Sequence, residues 1–347
     1  MPSFPLLASC ECTPNNALIK YWGKRDEKLF LPTNGSVSVC MDEQLTTRTT
    51  VVFSPKFSSD EGWLDGQKLS EEELKSASKV FGLLRGLSPK NKNLKARFAS
   101  KNDFPTAAGF ASSASGMAAL AIAGASALGL KLSPRELSII ARQGSGSACR
   151  SVLGGFVEWR KGEKMDGSDS FAEQVAQHTH WPEFRAVIAV TAEEKKKVSS
   201  RSGMKQTVGT SSLFKTRLEE MDLKIEQMKK NILSKNLPSL AELTMRESNS
   251  MHAVMLDTFP PILYLNDASK RIIHAIHELN QAKGAAVAGY TFDAGPNAHV
   301  YTVEKHVAEV RKLLEGLDGV KKTIVSKVGA GPKLSSRHLL SEKGEPL

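Results

Sequence analysis

Apolar and polar positions follow two different periods along this chain, and the changes between them predict its elements. Residues 1–60 show no sustained helical period and contain β-rich runs at 37–41 and 46–53, so we expect short strands there. At 70–86 the apolar residues recur at helical spacing instead. The pattern therefore predicts a strand-rich start followed by a first helix.

A second helix has a clear beginning in the sequence. Ser133 suits an N-cap, Pro134 suits the first helical position, and Glu136 completes a capping box, so this helix should run to Gly144. Strands and helices then mix in an order that predicts an α+β fold, with helices on one face of a sheet and a domain boundary near 182–195. The other predicted elements are strands at 95–99, 152–159, 185–191, 285–291, 298–303 and 320–326, helices at 112–128, 212–233, 238–252, 267–281 and 304–316, and a polar loop at 195–209.

Composition narrows the class of protein. The 347 residues are 40% hydrophobic and 24% charged, a globular balance that suits two domains or one large one. Four cysteines in this length exclude a disulfide scaffold. The net charge of +10 suits a ligand rich in phosphate or carboxylate groups.

The sequence predicts a cytoplasmic protein. Its start has no basic region before an apolar run and so does not have the form of a secretory signal. The uncharged stretch 107–130 is long enough to cross a membrane, but it consists mostly of Ala, Gly and Ser, which favours a buried helix. The basic composition comes with no nucleic-acid-binding motif, so we expect neither a membrane nor a nucleic acid as partner.

The segment 15–25 places two lysines four residues apart, with Tyr21 and Trp22 between Lys20 and Lys24. These residues could hold a phosphorylated ligand through charge and aromatic contact. The alternative is a strand end with a solvated basic edge. Lys20 weakens that alternative, because it lies inside an otherwise apolar strand and a buried lysine needs a partner.

The segment 104–116 is rich in small residues and opens a predicted helix, whose free N–H groups favour phosphate. Ser112 and Ser113 could hold phosphate oxygens or Mg²⁺. The segment has neither the Gly-Lys-Ser/Thr of a Walker A loop nor the G-x-G-x-x-G of a dinucleotide site. A tightly packed helix of small residues is an equally good interpretation.

Three further segments carry polar candidates. At 144–150 two serines precede Arg150, whose planar guanidinium suits a carboxylate or diphosphate, although a flexible turn is equally compatible. Cys149 has no histidine nearby in sequence, so we do not expect a cysteine nucleophile. The segment 199–204 could close over anions or form a solvated loop. Asp293 ends an apolar strand, where a carboxylate serves as a base or, more commonly, caps a turn.

Taken together, these segments resemble the mevalonate diphosphate decarboxylase family of the GHMP kinase superfamily. The matching segments read NNALIKYWGKRD, LPTNGSVS, PTAAGFASSASG, GSGSACRS and YTFDAGPNA, and the resemblance as a whole extends from about residue 8 to about residue 333. The resemblance implies a GHMP kinase fold, α+β with two α/β layers. Its active-site cleft would lie between an N-terminal domain at 1–185 and a ferredoxin-like α+β domain at 186–347.

The resemblance also implies an activity. It is the ATP- and Mg²⁺-dependent conversion of (R)-5-diphosphomevalonate to isopentenyl diphosphate, ADP, phosphate and CO₂, a step of isoprenoid and sterol biosynthesis. It further implies a homodimer. A related kinase that phosphorylates mevalonate or a derivative without decarboxylation is the alternative.

Site residues follow from the matched motifs. Asp293 corresponds to the base that faces the 3-hydroxyl, Arg150 to the group that holds the C1 carboxylate, and Lys20 to a neighbour that supports Asp293. The positions matching substrate contacts are Asn15, Tyr21, Trp22, Gly23, Lys24, Ser145, Gly146, Ser147, Ala148, Cys149, Arg150, Ser200, Arg201 and Met204. Those matching ATP contacts are Pro105, Ala108, Gly109, Ala111, Ser112 and Ser113, with Ser113 also a ligand of Mg²⁺. This interpretation requires that Asp293 and Arg150 share one cleft.

Three positions depart from the pattern of the family. Asn16 occupies a position that is usually apolar, and Arg201 one that often holds a small hydroxyl residue. Many relatives also have an arginine near 70–74, where this chain reads SEEEL. The sequence does not identify the residue that takes over the role of this arginine.

Overall fold

The computed structural model describes residues 6–104, 112–191 and 198–347, and strands and helices are mixed throughout them, as an α+β fold requires. The strands are β1 (Leu6–Cys12), β2 (Asn15–Ile19), β3 (Lys24–Asp26), β4 (Leu31–Pro32), β5 (Ser36–Cys40), β6 (Thr47–Ser54), β7 (Glu61–Leu64), β8 (Gln67–Lys68), β9 (Lys95–Asn102), β10 (Phe156–Trp159), β11 (Ala172–Ala176), β12 (Phe184–Val190), β13 (Gly289–Phe292), β14 (Ala298–Val303), β15 (Lys322–Ser326) and β16 (Lys333–Ser335). The helices are α1 (Glu71–Gly86), α2 (Ser112–Ala127), α3 (Pro134–Gly144), α4 (Ala148–Ser151), α5 (Ser200–Thr210), α6 (Phe214–Glu219), α7 (Met221–Leu233), α8 (Leu237–Leu256), α9 (Asp267–Lys283) and α10 (Glu304–Glu315). The predicted α+β class is confirmed.

The largest sheet has six strands in the order β16-β1-β6-β9-β7-β8, and all its pairs are antiparallel except β7 with β9. Helix α2 packs against β1 and β6, and α1 and α3 pack on α2. Phe53, Phe81 and Leu120 are buried in the resulting core. Helix α2 is therefore held between the sheet and the helices α1 and α3.

Two four-stranded sheets face each other across a second core. Their strand orders are β11-β10-β5-β2 and β13-β14-β12-β15. Val39 and Phe156 of the first sheet lie in the same apolar cluster as Phe184 and Tyr301 of the second. Helix α8 packs against both β2 and β13. The ends of β2 and β13 therefore come together, and these strands lead to Lys20 and Asp293.

The start of a helix agrees with the sequence prediction where the sequence contains a clear N-capping signal. Ser133 and Glu136 form the expected capping box of α3, with Pro134 in its first turn. The helix predicted at 112–128 is the buried helix α2, of small residues. Among the described residues, no helix is both long and apolar enough to cross a membrane.

The polar loop predicted at 195–209 is wrong in its described part. Ser199 caps α5 by accepting a hydrogen bond from the backbone N–H of Ser202 at 3.1 Å. Gly203, Met204 and Thr207 are buried on one side of this helix, while its other residues are polar and mostly exposed. A helix with so few apolar positions has a sequence pattern typical of a loop.

Three other predicted elements are shorter or divided. The helix predicted at 212–233 is two helices, because Glu220 closes α6 and opens α7. The strand predicted at 152–159 begins only at Phe156, since Gly154 packs closely on the backbone of 330–331 and Gly155 on that of 176–178. The strand predicted at 285–291 begins at Gly289, because the N–H groups just before it donate to the side chain of Asn280.

The C-terminal tail returns to the first half of the chain. Strand β16 pairs with β1, and Val328 forms an isolated bridge with Met41. The buried carboxylate of Glu11 accepts from Arg48 at 3.0 Å and from Arg337 at 2.5 Å. The division at 185/186 remains a prediction, and this tail crosses it.

Candidate active site

The end of strand β2 brings a lysine and an aspartate together. Nζ of Lys20 donates to Oδ1 of Asp293 at 2.6 Å. Lys20 is 1% exposed, whereas the side chain of Asp293 keeps 34% of its surface accessible. The Asp293 side chain thus combines a fixed, buried cation on one carboxylate oxygen with a surface that stays partly accessible.

A buried ion pair fixes the backbone of Lys20. Its N–H donates to Oε1 of Glu247 at 3.1 Å, and its carbonyl accepts from Arg217 at 3.3 Å. Arg217 and Glu247 are themselves paired at 2.5 Å, and their side chains are almost fully buried. Removing one partner of such a pair typically costs about 3–5 kcal/mol, so this support is rigid.

Sequence reasoning missed Arg217 and Glu247 as part of the site. Both lie in charged segments that were predicted as helices, where a solvated face is the usual interpretation. The available signal was the position of Glu247 on the buried side of α8, among Leu240, Leu243 and Met251.

The electrostatic balance at Asp293 keeps its carboxyl ionised. Burial acts to raise its pKa, but the Lys20 ammonium and other positive charges, including Arg150, outweigh burial and hold the pKa below its ordinary value. Burial lowers the pKa of Lys20, and the Asp293 carboxylate opposes that effect. At neutral pH the pair is therefore an ammonium beside an ionised carboxylate.

Arg150 lies in α4 and is held in a defined orientation. Its Nε donates to Oδ1 of Asn15 at 2.9 Å, and its Nη1 donates to Oγ of Ser36 at 2.5 Å. The guanidinium carbon is 5.9 Å from the centre of the Trp159 ring. Arg150 is 3% exposed, and its charge interacts with that of Asp293. Two groups far apart in sequence thus belong to one electrostatic neighbourhood, and the cleft that the sequence interpretation requires them to share remains a prediction.

The segment before Arg150 connects α3 to α4. Ser145 ends α3, and its hydroxyl is 3.5 Å from that of Ser147. Gly146 has no room for a side chain, because a Cβ there would lie 3.1 Å from the hydroxyl of Tyr21. The buried residues that complete the segment are Ala148 and Cys149. Burial raises the pKa of the Cys149 thiol to about 12, which argues against a thiolate nucleophile.

Tyr21 and Trp22 are adjacent in sequence but have different surroundings. The hydroxyl of Tyr21 is buried and has no hydrogen-bond partner among the described residues. Its charge environment includes Arg150 and Arg201. The indole of Trp22 lies in an apolar cluster with Met204 and donates to Thr207 at 3.0 Å. Trp22 therefore anchors helix α5, and the contacts of Tyr21 and Trp22 with substrate remain predictions.

Gly23 and Met204 support the same junction. Gly23 has φ +103, and a Cβ there would lie 2.6 Å from the ring of Phe214. Only glycine fits this combination of left-handed backbone and close packing. Met204 is 6% exposed within the cluster around Trp22, so its predicted contact with substrate also remains untested.

Three cations surround the ring of Phe30, and we call them the cation cluster: Lys24, Lys79 and Arg201. Their charged groups lie 4.8, 5.1 and 5.2 Å from the ring centre. Lys24 is also paired with Glu27 at 2.5 Å. The sequence interpretation included Lys24 and Arg201 but not Lys79, which lies on α1.

The other two members of the cluster bind neutral oxygens. Lys79 donates to the carbonyl of Lys28. Arg201 donates to the carbonyl of Gly144 and to the hydroxyl of Ser76, and both of these Arg201 bonds measure 3.0 Å. Burial and neighbouring positive charges, Arg142 and Arg201 among them, lower the pKa of Lys79. A positive field of this kind favours an anion.

Arg201 connects the cluster to helix α5. It is the second residue of that helix, directly after Ser200. Its hydrogen bond to Gly144 ties the start of α5 to the segment that leads to Arg150. The cation cluster is therefore connected through Arg201 to the segment that carries Arg150.

The predicted phosphate loop lies only partly within the described residues. Pro105, Ala108, Gly109 and Ala111 fall outside them. Ser112 opens helix α2, and Ser113 is exposed in its first turn. Ser115, one turn along, is buried and hydrogen-bonds to Thr47 at 2.7 Å.

An exposed hydroxyl in the first turn of α2 fits a magnesium–phosphate group. Mg²⁺ takes oxygen ligands, keeps several waters and is commonly held by one or two protein groups together with substrate phosphates. Ser113 supplies such an oxygen, and the N–H groups in the first turn of a helix favour phosphate. The donor set of the described residues is therefore compatible with Mg²⁺ bound together with ATP.

Comparisons with known families cover most of the chain. The family model described as diphosphomevalonate decarboxylase-like N-terminal domain matches residues 12–172. The model described as mevalonate 5-diphosphate decarboxylase C-terminal domain matches residues 186–318. Diphosphomevalonate decarboxylase of Candida albicans is 45% identical, over 96% of this chain and 99% of that protein.

Solved structures agree with the sequence relatives. Mevalonate diphosphate decarboxylase from Trypanosoma brucei has a TM-score of 0.88 and 32% identity, and the match covers 95% of this chain and 98% of that one. A complex of MDDEF with MVAPP, AMPPCP and magnesium has a TM-score of 0.87 and 36% identity, over 96% of this chain and 100% of that chain. Fold and sequence thus point to the same family.

Proposed function

The chain belongs to the diphosphomevalonate decarboxylase family, and on that premise we propose how its own residues carry out the reaction. The enzyme is an ATP-dependent decarboxylase of the GHMP kinase type that converts diphosphomevalonate to isopentenyl diphosphate in the mevalonate pathway. The observation that carries the residue assignment is the shared neighbourhood of Asp293, Lys20 and Arg150.

The reaction begins at the tertiary 3-hydroxyl of the substrate. Asp293, ionised and open to the cleft, accepts the proton as the hydroxyl oxygen attacks the γ-phosphorus of ATP. Lys20 keeps this carboxylate ionised and fixed in place. Transfer yields a 3-phosphorylated intermediate and ADP, because the bond from the γ-phosphorus to the β-γ bridging oxygen breaks.

Phosphorylation converts a poor leaving group into a good one. As phosphate departs from C3, the electron pair of the bond between C1 and C2 forms the new double bond between C2 and C3, and CO₂ is released. Arg150 orients the carboxylate that becomes CO₂, and its planar fork suits that geometry. A guanidinium does this without changing its own protonation state.

The diphosphate of the substrate lies at the cation cluster. The positive field at Lys24, Lys79 and Arg201 supports this assignment, together with the unpartnered hydroxyl of Tyr21. Lys79 supplies a charge that the 70–74 segment does not. The substrate is thus held by its diphosphate at one end and by its carboxylate at the other.

ATP binds with its phosphates toward the start of α2, with Ser113 as a protein ligand of Mg²⁺. The exposed position of Ser113 in the first turn and the donor chemistry argued above support this. Bound Mg²⁺ supplies charge neutralisation to the phosphoryl group during transfer. Homodimer assembly and a cytosolic location are proposals that rest on the family resemblance alone.

Product stoichiometry tests the proposed function. Purified enzyme is incubated with diphosphomevalonate, ATP and Mg²⁺ while ADP, phosphate and ¹⁴CO₂ from C1-labelled substrate are measured. We expect the three products in equal amounts. ADP without CO₂ would show a kinase instead, and absence of turnover with this substrate would overturn the proposal.

A further inference from the structure

Asp293 has a second buried partner, which the reaction scheme does not use. Nδ2 of Asn16 donates to Oδ2 of Asp293 at 2.9 Å, while Lys20 occupies Oδ1. Oδ1 of Asn16 accepts from the hydroxyl of Tyr301 at 2.6 Å. Asn16 and Tyr301 are 3% and 0% exposed. A chain of two hydrogen bonds therefore runs from the core to the carboxylate.

The direction of this chain follows from its ends. An ionised carboxylate only accepts hydrogen bonds, so the Asn16 amide must turn its NH₂ group toward Asp293. The amide oxygen then faces Tyr301, whose hydroxyl donates to it. If the amide were reversed, its oxygen would lie against a carboxylate oxygen with no proton between them. Ionised Asp293 thus selects this amide orientation, and the Tyr301 hydroxyl, which can donate or accept, completes it by donating.

Tyr301 is itself held firmly. It lies in β14, hydrogen-bonded between β12 and β13, and its ring stacks on that of Phe184 with centroids 5.4 Å apart. Burial raises the pKa of its phenol well above the ordinary value, so the hydroxyl stays protonated and remains a donor. The fixed end of the chain therefore lies in the C-terminal sheet, and Asn16 belongs to the sheet of the opposite half.

We propose that Asn16, held in place by Tyr301, is a positioning residue that fixes the rotation of the Asp293 carboxylate and favours its ionised form. This inference rests on the proposed role of Asp293 as the base. With Lys20 on one oxygen and Asn16 on the other, the carboxylate plane is defined before substrate binds. Each oxygen keeps a further lone pair for the substrate hydroxyl.

Other charged and titratable groups face Asp293 and need to be separated from this effect. Lys20 follows β2, Arg150 lies on α4, His252 on α8 and His299 on β14. Glu247 on α8 interacts with Lys20. Burial lowers the pKa of His252 and of His299 to about 4, so both are neutral at neutral pH.

The test uses Asn16→Leu, which keeps the branched outline of the side chain and removes the donor to Asp293. We expect the acid limb of kcat/KM to move about one pH unit higher, since a hydrogen bond to a charged group favours ionisation by about that amount. We expect kcat near neutral pH to fall about tenfold, with KM for ATP and diphosphomevalonate within about twofold. Asn91→Leu is the matched control, because it removes a buried side-chain amide whose hydrogen-bond partner among the described residues is Ser88.

A double variant separates positioning from stability. Asn16→Leu alone leaves the Tyr301 hydroxyl buried without its acceptor and should lower Tm; Asn16→Leu with Tyr301→Phe removes both polar groups and should recover most of that loss. We expect the double variant to regain Tm but not kcat or the acid limb. If it regains all three, the pair is structural only and the proposal is overturned.

The remaining outcomes distinguish a failure of the positioning role from a failure of the proposed function. A wild-type enzyme that releases CO₂ while Asn16→Leu keeps both its acid limb and kcat would overturn the positioning role and leave the decarboxylase function intact. If Asn16→Leu does not fold, the double variant carries the same kinetic test. Failure of the wild type to turn over diphosphomevalonate would instead be a failure of the proposed function.

Discussion

The surroundings of Asp293 and the cation cluster differ in how far the protein itself already pairs their polar and charged groups. At Asp293 both carboxylate oxygens already accept buried donors, Lys20 and Asn16, at 2.6 and 2.9 Å. At the cation cluster, positive groups gather around Phe30, and a buried tyrosine hydroxyl nearby has no partner among the described residues. The Asp293 carboxylate therefore has its protein partners without a ligand, whereas the cation cluster keeps positive charge available for an anion.

This difference indicates two uses of charge. A base needs its orientation and ionisation set in advance, because reorganising it during the reaction would add to the barrier. A diphosphate-binding surface needs only to attract and hold an anion, which brings the balancing charge itself. Changes on the Asp293 side should therefore lower kcat, and changes at the cation cluster should raise KM.

The largest effect is expected from Asp293→Asn. This variant keeps the shape and leaves Lys20 a hydrogen-bond acceptor, whereas alanine would leave the buried ammonium alone. We expect kcat to fall about 10³-fold, within the range for loss of a general base, while calorimetry shows ATP and diphosphomevalonate binding within about threefold of wild type. A kcat within tenfold of wild type would remove Asp293 from its role.

The pH profile gives the same residue a second test. Because neighbouring positive charges hold the pKa of Asp293 below its ordinary value, the base stays ionised well into the acid range. We expect kcat/KM of the wild type to fall only as pH drops through that lowered pKa, and Asp293→Asn to lack this limb. Stability of the protein at each pH is the necessary control.

Arg150 lies between the two sides, since its charge interacts with both Asp293 and Tyr21. We expect Arg150→Ala to lower kcat/KM by about 10²–10³, the range for truncating a buried charge. Arg150→Lys should lose about tenfold less, because it keeps the charge but not the fork that reaches Asn15 and Ser36 together.

The control for this pair is Arg160→Ala, whose exposed side chain meets Glu173 on the surface. It should change kcat/KM by less than twofold. Equal activities of Arg150→Lys and the wild type would mean that charge alone, without the planar geometry, serves the carboxylate.

Local signals predicted the parts of the fold that depend on local chemistry. The capping residues around Ser133 and the small residues of α2 identified their helices directly. Helix α5 was missed because what stabilises it is the cluster around Trp22, distant in sequence, rather than an apolar period of its own. Tertiary packing there decides a structure that the local pattern favours as a loop.

The site shows the same division. The sequence motifs identified Lys20, Arg150 and Asp293 as candidates, because a charged residue in such a segment indicates the chemistry it can perform. Asn16 stood out only as a polar residue at a usually apolar position, and its partner Tyr301 lies 285 residues away. Such a contact follows from the approach of two sheets, which no local pattern encodes.

Lys79 is the sharpest case, and it carries the smallest expected effect. It lies on α1, where a solvated lysine would be the ordinary interpretation, yet its ammonium is 5.1 Å from the Phe30 ring between other cations. We expect Lys79→Ala to raise KM for diphosphomevalonate about five- to tenfold with kcat within twofold, as loss of uniform binding requires. The apparent Ki of inorganic pyrophosphate should rise by a similar factor, which ties the effect to the diphosphate.

Lys75→Ala, one turn earlier on the same helix and exposed, should change neither constant. An unchanged pyrophosphate Ki in Lys79→Ala would place the diphosphate elsewhere, and a fall in kcat instead of a rise in KM would erase the distinction between the two sides of the cleft.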